Sequence, residues 1–407
     1  MGDFHLLSPR GFRAGAVYAG IKSKPTPDVA MLACDAPASA AAVFTTNRVR
    51  AAPVEIGRQH VAFGKLRAVI VNSGNANACT GKQGMRDALR MCALVAERLR
   101  CPVEQVLPSS TGIIGHLLPM EKVEAGIADV VQKLGDDAEH ATAFADGILT
   151  TDLVRKVAGA EFKIGGKRVV VAGVCKGSGM IGPRMTLSGT SAKHATMLAY
   201  LTTDAAIRPA ILRRLLARAA DRSFNCVTVD NHTSTNDTAA IMASGLSGGK
   251  IDSPAAEKKF ASALEEVCQS LAYQIAADGE GATKVFAVTV RGAASESAAR
   301  AMARAIADSP LVKCAIHGND PNWGRIVSAA GYAGVPFEPD RSVLTLAGTV
   351  VFRNGRPAPF DAEKLSAALN AKEVRADLNC RMGDASATVW TCDLSREYIT
   401  INADYHT

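Results

Sequence analysis

Arg67-Ala68-Val69-Ile70-Val71-Asn72 is a short run of β-branched and small apolar residues, and its reading sets the fold class for the rest of the chain. A run of this length followed by asparagine and glycine reads as a buried strand. It leads into the polar segment Asn72-Ser73-Gly74-Asn75-Ala76-Asn77-Ala78-Cys79-Thr80-Gly81. Beyond that, Met85, Leu89, Cys92, Val95 and Leu99 recur at helical spacing and make one apolar stripe. Strand, loop and amphipathic helix therefore follow one another directly.

The same alternation continues outward. Arg168–Cys175 and Val285–Val290 read as further strands, Val343–Phe352 as a fourth and Ala387–Cys392 as a fifth. A helix opens at Ser253, where serine supplies an N-cap and Pro254 the first turn. It carries Phe260, Leu264, Val267, Cys268, Leu271 and Ile275 on one face and stops at Asp278-Gly279; Met302 and Ile306 belong to another helix. No tandem repeat interrupts the order. The expected class is mixed α/β, with layers of helix against sheet.

Composition narrows the function. The 407 residues suffice for one large domain or two medium ones, and 48% are apolar with few aromatics, so small aliphatic side chains carry the packing. A net charge of +7, spread as isolated residues and doublets such as Arg213-Arg214 and Lys258-Lys259, gives no phosphate-tracking stripe. Nucleic acid is not an expected partner. Ten dispersed cysteines without a C-x-x-C or other metal spacing read as buried free thiols in a reducing compartment, with no metal site. The start lacks a charged, apolar export signal, and no run reaches the ~18–20 apolar residues of a membrane span. A cytoplasmic protein without membrane contact is expected.

Several segments carry chemistry. Gly177-Ser178-Gly179-Met180-Ile181-Gly182 fits G-x-G-x-x-G after a strand, but Pro183 and Arg184-Met185-Thr186 make a poor helix start, so a tight turn is favoured over a dinucleotide site. The irregular stretch from Gly177 to Lys193 is long enough to point to function. Two runs dense in hydroxyls and amides, 72–81 and Asp230–Thr238, suit an internal polar network. Ser110-Thr111-Gly112 pairs a hydroxyl with a close-approaching backbone N–H, the parts of an oxyanion hole. The eight histidines lie in no catalytic motif. A threonine activated by its own α-amino group is the remaining nucleophile, and it requires backbone cleavage immediately before it.

The strings Lys176–Pro183 and Ala195-Thr196-Met197-Leu198-Ala199-Tyr200-Leu201-Thr202-Thr203-Asp204-Ala205 resemble the self-processing junction of the ornithine acetyltransferase family, the bifunctional glutamate N-acetyltransferases. The likeness runs nearly end to end. It includes Pro9–Phe12, Val43–Asn47, Ala51–Val54, the 72–81 run, Ser110–Gly112, Thr233–Thr238, Gly279–Lys284, Asp320–Arg325 and Ile401–Tyr405. It implies the layered α/β sandwich shared with the self-processing aminopeptidases. It implies cleavage between Ala195 and Thr196 into an α chain, 1–195, and a β chain, 196–407, assembled as a heterotetramer. Thr196 would carry the acetyl group from N2-acetylornithine to glutamate in a ping-pong cycle of arginine biosynthesis, with Thr111 and Gly112 as the oxyanion hole. Thr150, Lys176, Thr196, Glu280, Asn402 and Thr407 match the substrate-binding positions. No bound cofactor is implied; acetyl-CoA stands as an alternative donor.

The sequence departs from the family pattern at Arg184–Ala192, which reads as an insertion, and at Lys193-His194. Thr186 is therefore a rival nucleophile. Two other functions stay open at this point: an N-terminal-nucleophile amidohydrolase or peptidase, and an unprocessed, non-catalytic paralogue disabled by the insertion.

Overall fold

The computed structural model describes residues 4–187 and 197–404. Ala195, Thr196 and Thr407, and with them the expected scissile bond, lie outside the described residues. The chain divides into two compact units, Met1–Asn225 with His232–Leu271, and Cys226–Asn231 with Ala272–His406.

In chain order the first unit contains strands β1 (Phe12–Val17), β2 (Val29–Thr45), β3 (Lys65–Asn75), β4 (Val106–Ile113), β5 (Lys156–Ile164), β6 (Lys167–Lys176), β7 (Met185–Thr186), β8 (Leu198–Thr203), β9 (Ala206–Ile207), β10 (Thr238–Ala243) and β11 (Lys250–Ile251). Its helices are α1 (Ala52–Val61), α2 (Gly81–Leu99), α3 (Met120–Gln132), α4 (Ala138–Gly147), α5 (Pro209–Asp221) and α6 (Pro254–Ala277) as far as Leu271. The main sheet has the order β4-β3-β2-β10-β8-β6-β5, and β1 and β7 pair with the two ends of the long β2. Two pairs are parallel, β3 with β4 and β8 with β10, and their crossovers contain α2 and α5.

Both faces of this sheet are apolar because successive side chains point to opposite sides. Met31 and Ala33 of β2 enter one core with Ile70, Met91, Val95, Val123 and Ile127. Ala30 and Leu32, one step out of phase, enter the other with Val69, Val71 and Phe144. Helices α2 and α3 thus cover one face and α4 the other, which is the layered arrangement expected from the sequence. Helix α6 places Phe260 edge-on to Phe162 of β5, with ring centroids 6.2 Å apart. A Cβ on Gly173 of β6 would lie 2.6 Å from Leu201 and 3.1 Å from Leu271, so the missing side chain lets these leucines close over the sheet.

The second unit is a separate layer pair. Strands β12 (Val285–Ala293), β13 (Val343–Leu346), β14 (Thr349–Arg353), β15 (Arg356–Pro357), β16 (Glu373–Asn379) and β17 (Ala385–Cys392) form a sheet of order β15-β14-β13-β16-β12-β17. Helices α7 (Glu296–Asp308), α8 (Pro310–His317), α9 (Trp323–Gly331), α10 (Ala362–Leu369) and α11 (Arg396–Asp404) complete it. Phe286, Val288 and Val290 of β12 meet Met302 and Ile306 of α7 in its core.

Three local expectations change. Val343–Phe352 is a hairpin and not one strand: Ala347 and Gly348 both take positive φ, 44° and 82°, as a tight two-residue turn requires. Leu89 points outward, 42% exposed, while Ala88, Met91 and Ala96 fill the α2 stripe beside Cys92 and Val95. The ten cysteines are all free thiols, but Cys79 and Cys314 are exposed. Among the described residues no helix is long and apolar enough to cross a membrane.

Phe286 is fully buried. Phe286→Ala should therefore cost about 3–5 kcal/mol in urea unfolding, through lost transfer energy and the cavity left behind. A cost below about 1 kcal/mol would contradict this core assignment.

Candidate active site

Strands β3 and β4 end side by side, with Ser73 opposite Thr111 and Gly74 opposite Gly112. The register breaks at Asn75, which faces both Thr111 and Ile113. Gly112 has φ of 132°, and a Cβ there would lie 2.3 Å from the Gly74 carbonyl carbon. Glycine is required on both counts. The two backbones therefore close on each other beside Thr111, which is 1% exposed.

The polar run at the end of β3 and just beyond it, 72–78, is largely buried and hydrogen-bonded. Ser110 Oγ donates to Asn72 Oδ1 at 2.6 Å, and Asn72 Nδ2 donates to the Asn75 carbonyl at 2.8 Å. Ser73 Oγ donates to the Gly147 carbonyl at 2.7 Å, and Asn77 Nδ2 to that of Gly84 at 2.9 Å. The second polar run joins it: Asn236 Nδ2 donates to the Ala76 carbonyl at 3.0 Å, and Ala51 N–H to that of Thr235 at 2.9 Å. Asp237 accepts the Met197 N–H, and Thr238 N–H donates to the Met197 carbonyl at 3.1 Å. The residue that follows Thr196 in sequence is thus held on both its backbone groups.

Strand β6 brings Lys176 to the same place. It pairs with Leu198 across the antiparallel β6–β8 ladder. Its Nζ donates to Thr111 Oγ over a long 3.4 Å. On its other side lies the wholly buried Asp152 carboxylate, 3.8 Å away. Asp152 also accepts from Lys156 Nζ at 2.7 Å, from Gly177 N–H at 2.6 Å and from Thr150 N–H at 3.2 Å. Burial pushes the Asp152 pKa up, but Lys176 and Lys156 outweigh it and hold the carboxyl at about 2. Lys22 stands nearby, its Cγ 3.1 Å from where a Gly74 Cβ would be. Burial brings its ammonium down to about 8, against the pull of Asp28 and with the repulsion of Lys176 added.

In the second unit Asn402 of α11 donates to Glu280 Oε2 at 3.0 Å and to the Tyr398 carbonyl at 3.0 Å. Burial, with Asp230 and Glu280 adding negative charge, raises the Tyr398 phenol pKa. Gly281 (φ 69°) lets this loop touch α11: a Cβ there would be 2.4 Å from Tyr398 N.

Of the residues singled out in the sequence, the structure links Thr111, Gly112, Thr150 and Lys176 in the first unit and Glu280 with Asn402 in the second. Thr186, the rival nucleophile, lies in β7 opposite Phe44. The segment 177–184 is irregular and opens no helix, as the turn reading requires. Sequence reasoning missed Asp152 and Lys22. The one available signal for Asp152 was an acid four residues before Lys156 and directly after the Thr150-Thr151 pair.

Geometry and fold together define a layered α/β protein whose buried hydroxyl, glycine backbone and lysine come together beside the end of β4. The ArgJ family model matches residues 13–407, and the chain belongs to the ArgJ family. The membership read from the motifs is borne out. The chain is similar to the arginine biosynthesis bifunctional protein ArgJ of a Bacillus cereus strain, 45% identical over all of this chain and 97% of that one. It is also similar to the protein of the same name from Geobacter sulfurreducens, 47% identical over 98% of this chain and 100% of that one. Among solved structures, the ArgJ crystal structure from Bacillus halodurans is 44% identical, with a TM-score of 0.44, covering 46% of this chain and 96% of that one. Ornithine acetyltransferase from Mycobacterium tuberculosis, complexed with ornithine, is 36% identical, with a TM-score of 0.41, covering 46% of this chain and 98% of that one.

The Asp152 carboxyl has a pH signature. Its folded pKa of about 2 lies below the ~3.9 of an unfolded aspartate, so its contribution is complete above ~4 and is lost as pH falls through ~2. The contribution is on the order of 2 kcal/mol. Urea unfolding followed from pH 5 to pH 2 should show this loss in wild type and not in the charge-balanced variant Asp152→Asn/Lys156→Met. Parallel pH profiles for the two proteins would contradict the assignment.

Proposed function

We propose that this ArgJ-family protein is an ornithine acetyltransferase that cuts itself between Ala195 and Thr196. It then moves the acetyl group of N2-acetylornithine to glutamate, a step of arginine biosynthesis, through an ester on Thr196. The observation that supports this reading most is the position of Lys176. It pairs with Leu198, two residues beyond Thr196, and reaches Thr111 beside Gly112.

Cleavage frees the Thr196 α-amine, whose pKa near 8 leaves part of it able to accept a proton at neutral pH. Thr196 Oγ attacks the acetyl carbonyl while the amine takes its proton. The oxygen that becomes negative meets Thr111 Oγ–H and Gly112 N–H. The C–N bond then breaks, ornithine leaves with the proton, and the acetyl group stays on Oγ. The amino group of glutamate attacks that ester, and collapse of the second intermediate returns the proton to Oγ. Thr150, Lys176, Glu280, Asn402 and Thr407 are the proposed substrate-binding residues, and acetyl-CoA is a second donor to be tested. The active assembly is two α and two β chains. Seven buried free thiols favour a reducing, cytoplasmic setting.

Thr196→Ala should remain a single chain and transfer no acetyl group, because one hydroxyl performs both attacks; Thr196→Ser should keep part of each activity. Sequencing the smaller wild-type product should read Thr196-Met197-Leu198-Ala199-Tyr200. A product starting at Thr186 or Leu187 would remove Thr196 from the mechanism. Acetate formed at the same rate with and without glutamate would make the protein a hydrolase.

Thr111→Val removes one oxyanion donor and should lower kcat at least about tenfold in protein that is folded and processed. Unchanged kcat would deny Thr111 the role.

A further inference from the structure

The carboxylate of Asp152 is fully enclosed and gathers groups from two stretches of chain, 150–156 and 176–177. Lys156 Nζ and the Gly177 N–H donate to Oδ1, at 2.7 and 2.6 Å. The Thr150 N–H donates to Oδ2 at 3.2 Å, and Lys176 Nζ is 3.8 Å from the same oxygen. Two lysines and one carboxylate make a trio with one net positive charge. Enclosing an ammonium is costly, and Asp152 offsets part of that cost for both lysines. Lys176 is thereby held between Asp152 and Thr111.

An ammonium has donors only, so Thr111 Oγ must be the acceptor in its bond to Lys176. That leaves the hydroxyl hydrogen of Thr111 for a different acceptor. In acyl transfer the acceptor that appears during the reaction is the carbonyl oxygen as it becomes negative. A lysine that drifted from Thr111 would free the hydroxyl to rotate, and the donor would no longer be oriented in advance.

We propose that Asp152 is a positioning residue, whose carboxylate fixes Lys176 against Thr111 so that the Thr111 hydroxyl hydrogen is directed at the oxyanion. The proposal rests on the acetyl-transfer reading above and adds to it a residue that touches no substrate.

Asp152→Asn alone would deprive two buried ammonium groups of this counter-charge and so endangers the fold. The combined variant Asp152→Asn/Lys156→Met keeps the wild-type net charge of the trio and removes the carboxylate anchor of Lys176. It should be soluble and processed, with kcat for acetyl transfer lowered about tenfold or more and KM within about threefold of wild type. In a Thr111→Val background the same two substitutions should lower kcat less than about threefold, because the donor they orient is gone. Wild-type kcat in the combined variant would show that Asp152 only balances charge, and would overturn the proposal. An equal loss of kcat in the Thr111→Val background would overturn it too. If the combined variant does not fold, Asp152→Glu keeps the charge and displaces it by one methylene; it should lower kcat with KM retained, and wild-type kcat there would also overturn the proposal. Wild-type protein assayed alongside separates the two claims. An inert wild type overturns the acetyl-transfer reading and this proposal with it, whereas an active wild type beside unaffected variants overturns this proposal alone.

Discussion

Strand β8 is the constraint on which the first unit depends. It is bonded on both sides, antiparallel to β6 and parallel to β10, and every residue from Leu198 to Thr203 is buried. Its pairing fixes Lys176 opposite Leu198, and the bonds from Asp237 and Thr238 fix Met197 at its head. A chain cut between Ala195 and Thr196 would still contribute this strand to the interior of a sheet whose other strands come from both sides of the cut. Separation of the pieces would expose the ladder edges of β6 and β8 and of β2 and β10, along with their apolar faces. Hydrophobic burial and backbone pairing would then hold the two pieces together without that peptide bond.

The end of that sheet is organised by buried charge. Asp152, Lys156 and Lys176 are almost without solvent contact, and the carboxylate offsets the cost of enclosing the two ammonium groups. Replacing such groups by well-packed apolar side chains is often neutral or stabilising, so stability alone does not account for them. Here the geometry concerns Thr111 and the glycine backbone beside it. The net positive charge of the trio favours an anion at this end of the sheet, which suits both an amino-acid carboxylate and a developing oxyanion.

Much of this was legible in the sequence, for identifiable reasons. Val69, Ile70 and Val71 announce a strand buried on both faces, and Phe260, Leu264 and Leu271 announce a helix, because periodicity follows directly from which side meets the core. The motifs around Thr111-Gly112 and Thr196 carry their own chemistry and gave the family. Asp152 was only partly legible: its spacing to Lys156 is visible in the sequence, but Lys176 and the Gly177 N–H reach it only in the folded chain. The hairpin at Ala347-Gly348 was missed because an alanine at positive φ leaves no mark in composition. Leu89 was misread because the apolar face of α2 centres on Ala88 and Met91, and alanine is a weak signal of burial.

The central claim is that one hydroxyl, at the new N-terminus of a cut chain, carries the acetyl group. Peptide mass mapping of wild-type protein after incubation with N2-acetylornithine alone tests it most directly. The account predicts one acetyl group, as an ester on the peptide that begins with Thr196, and its disappearance when glutamate is added. An acetyl group on any other residue, or none on a protein that still transfers acetyl to glutamate, would contradict the account.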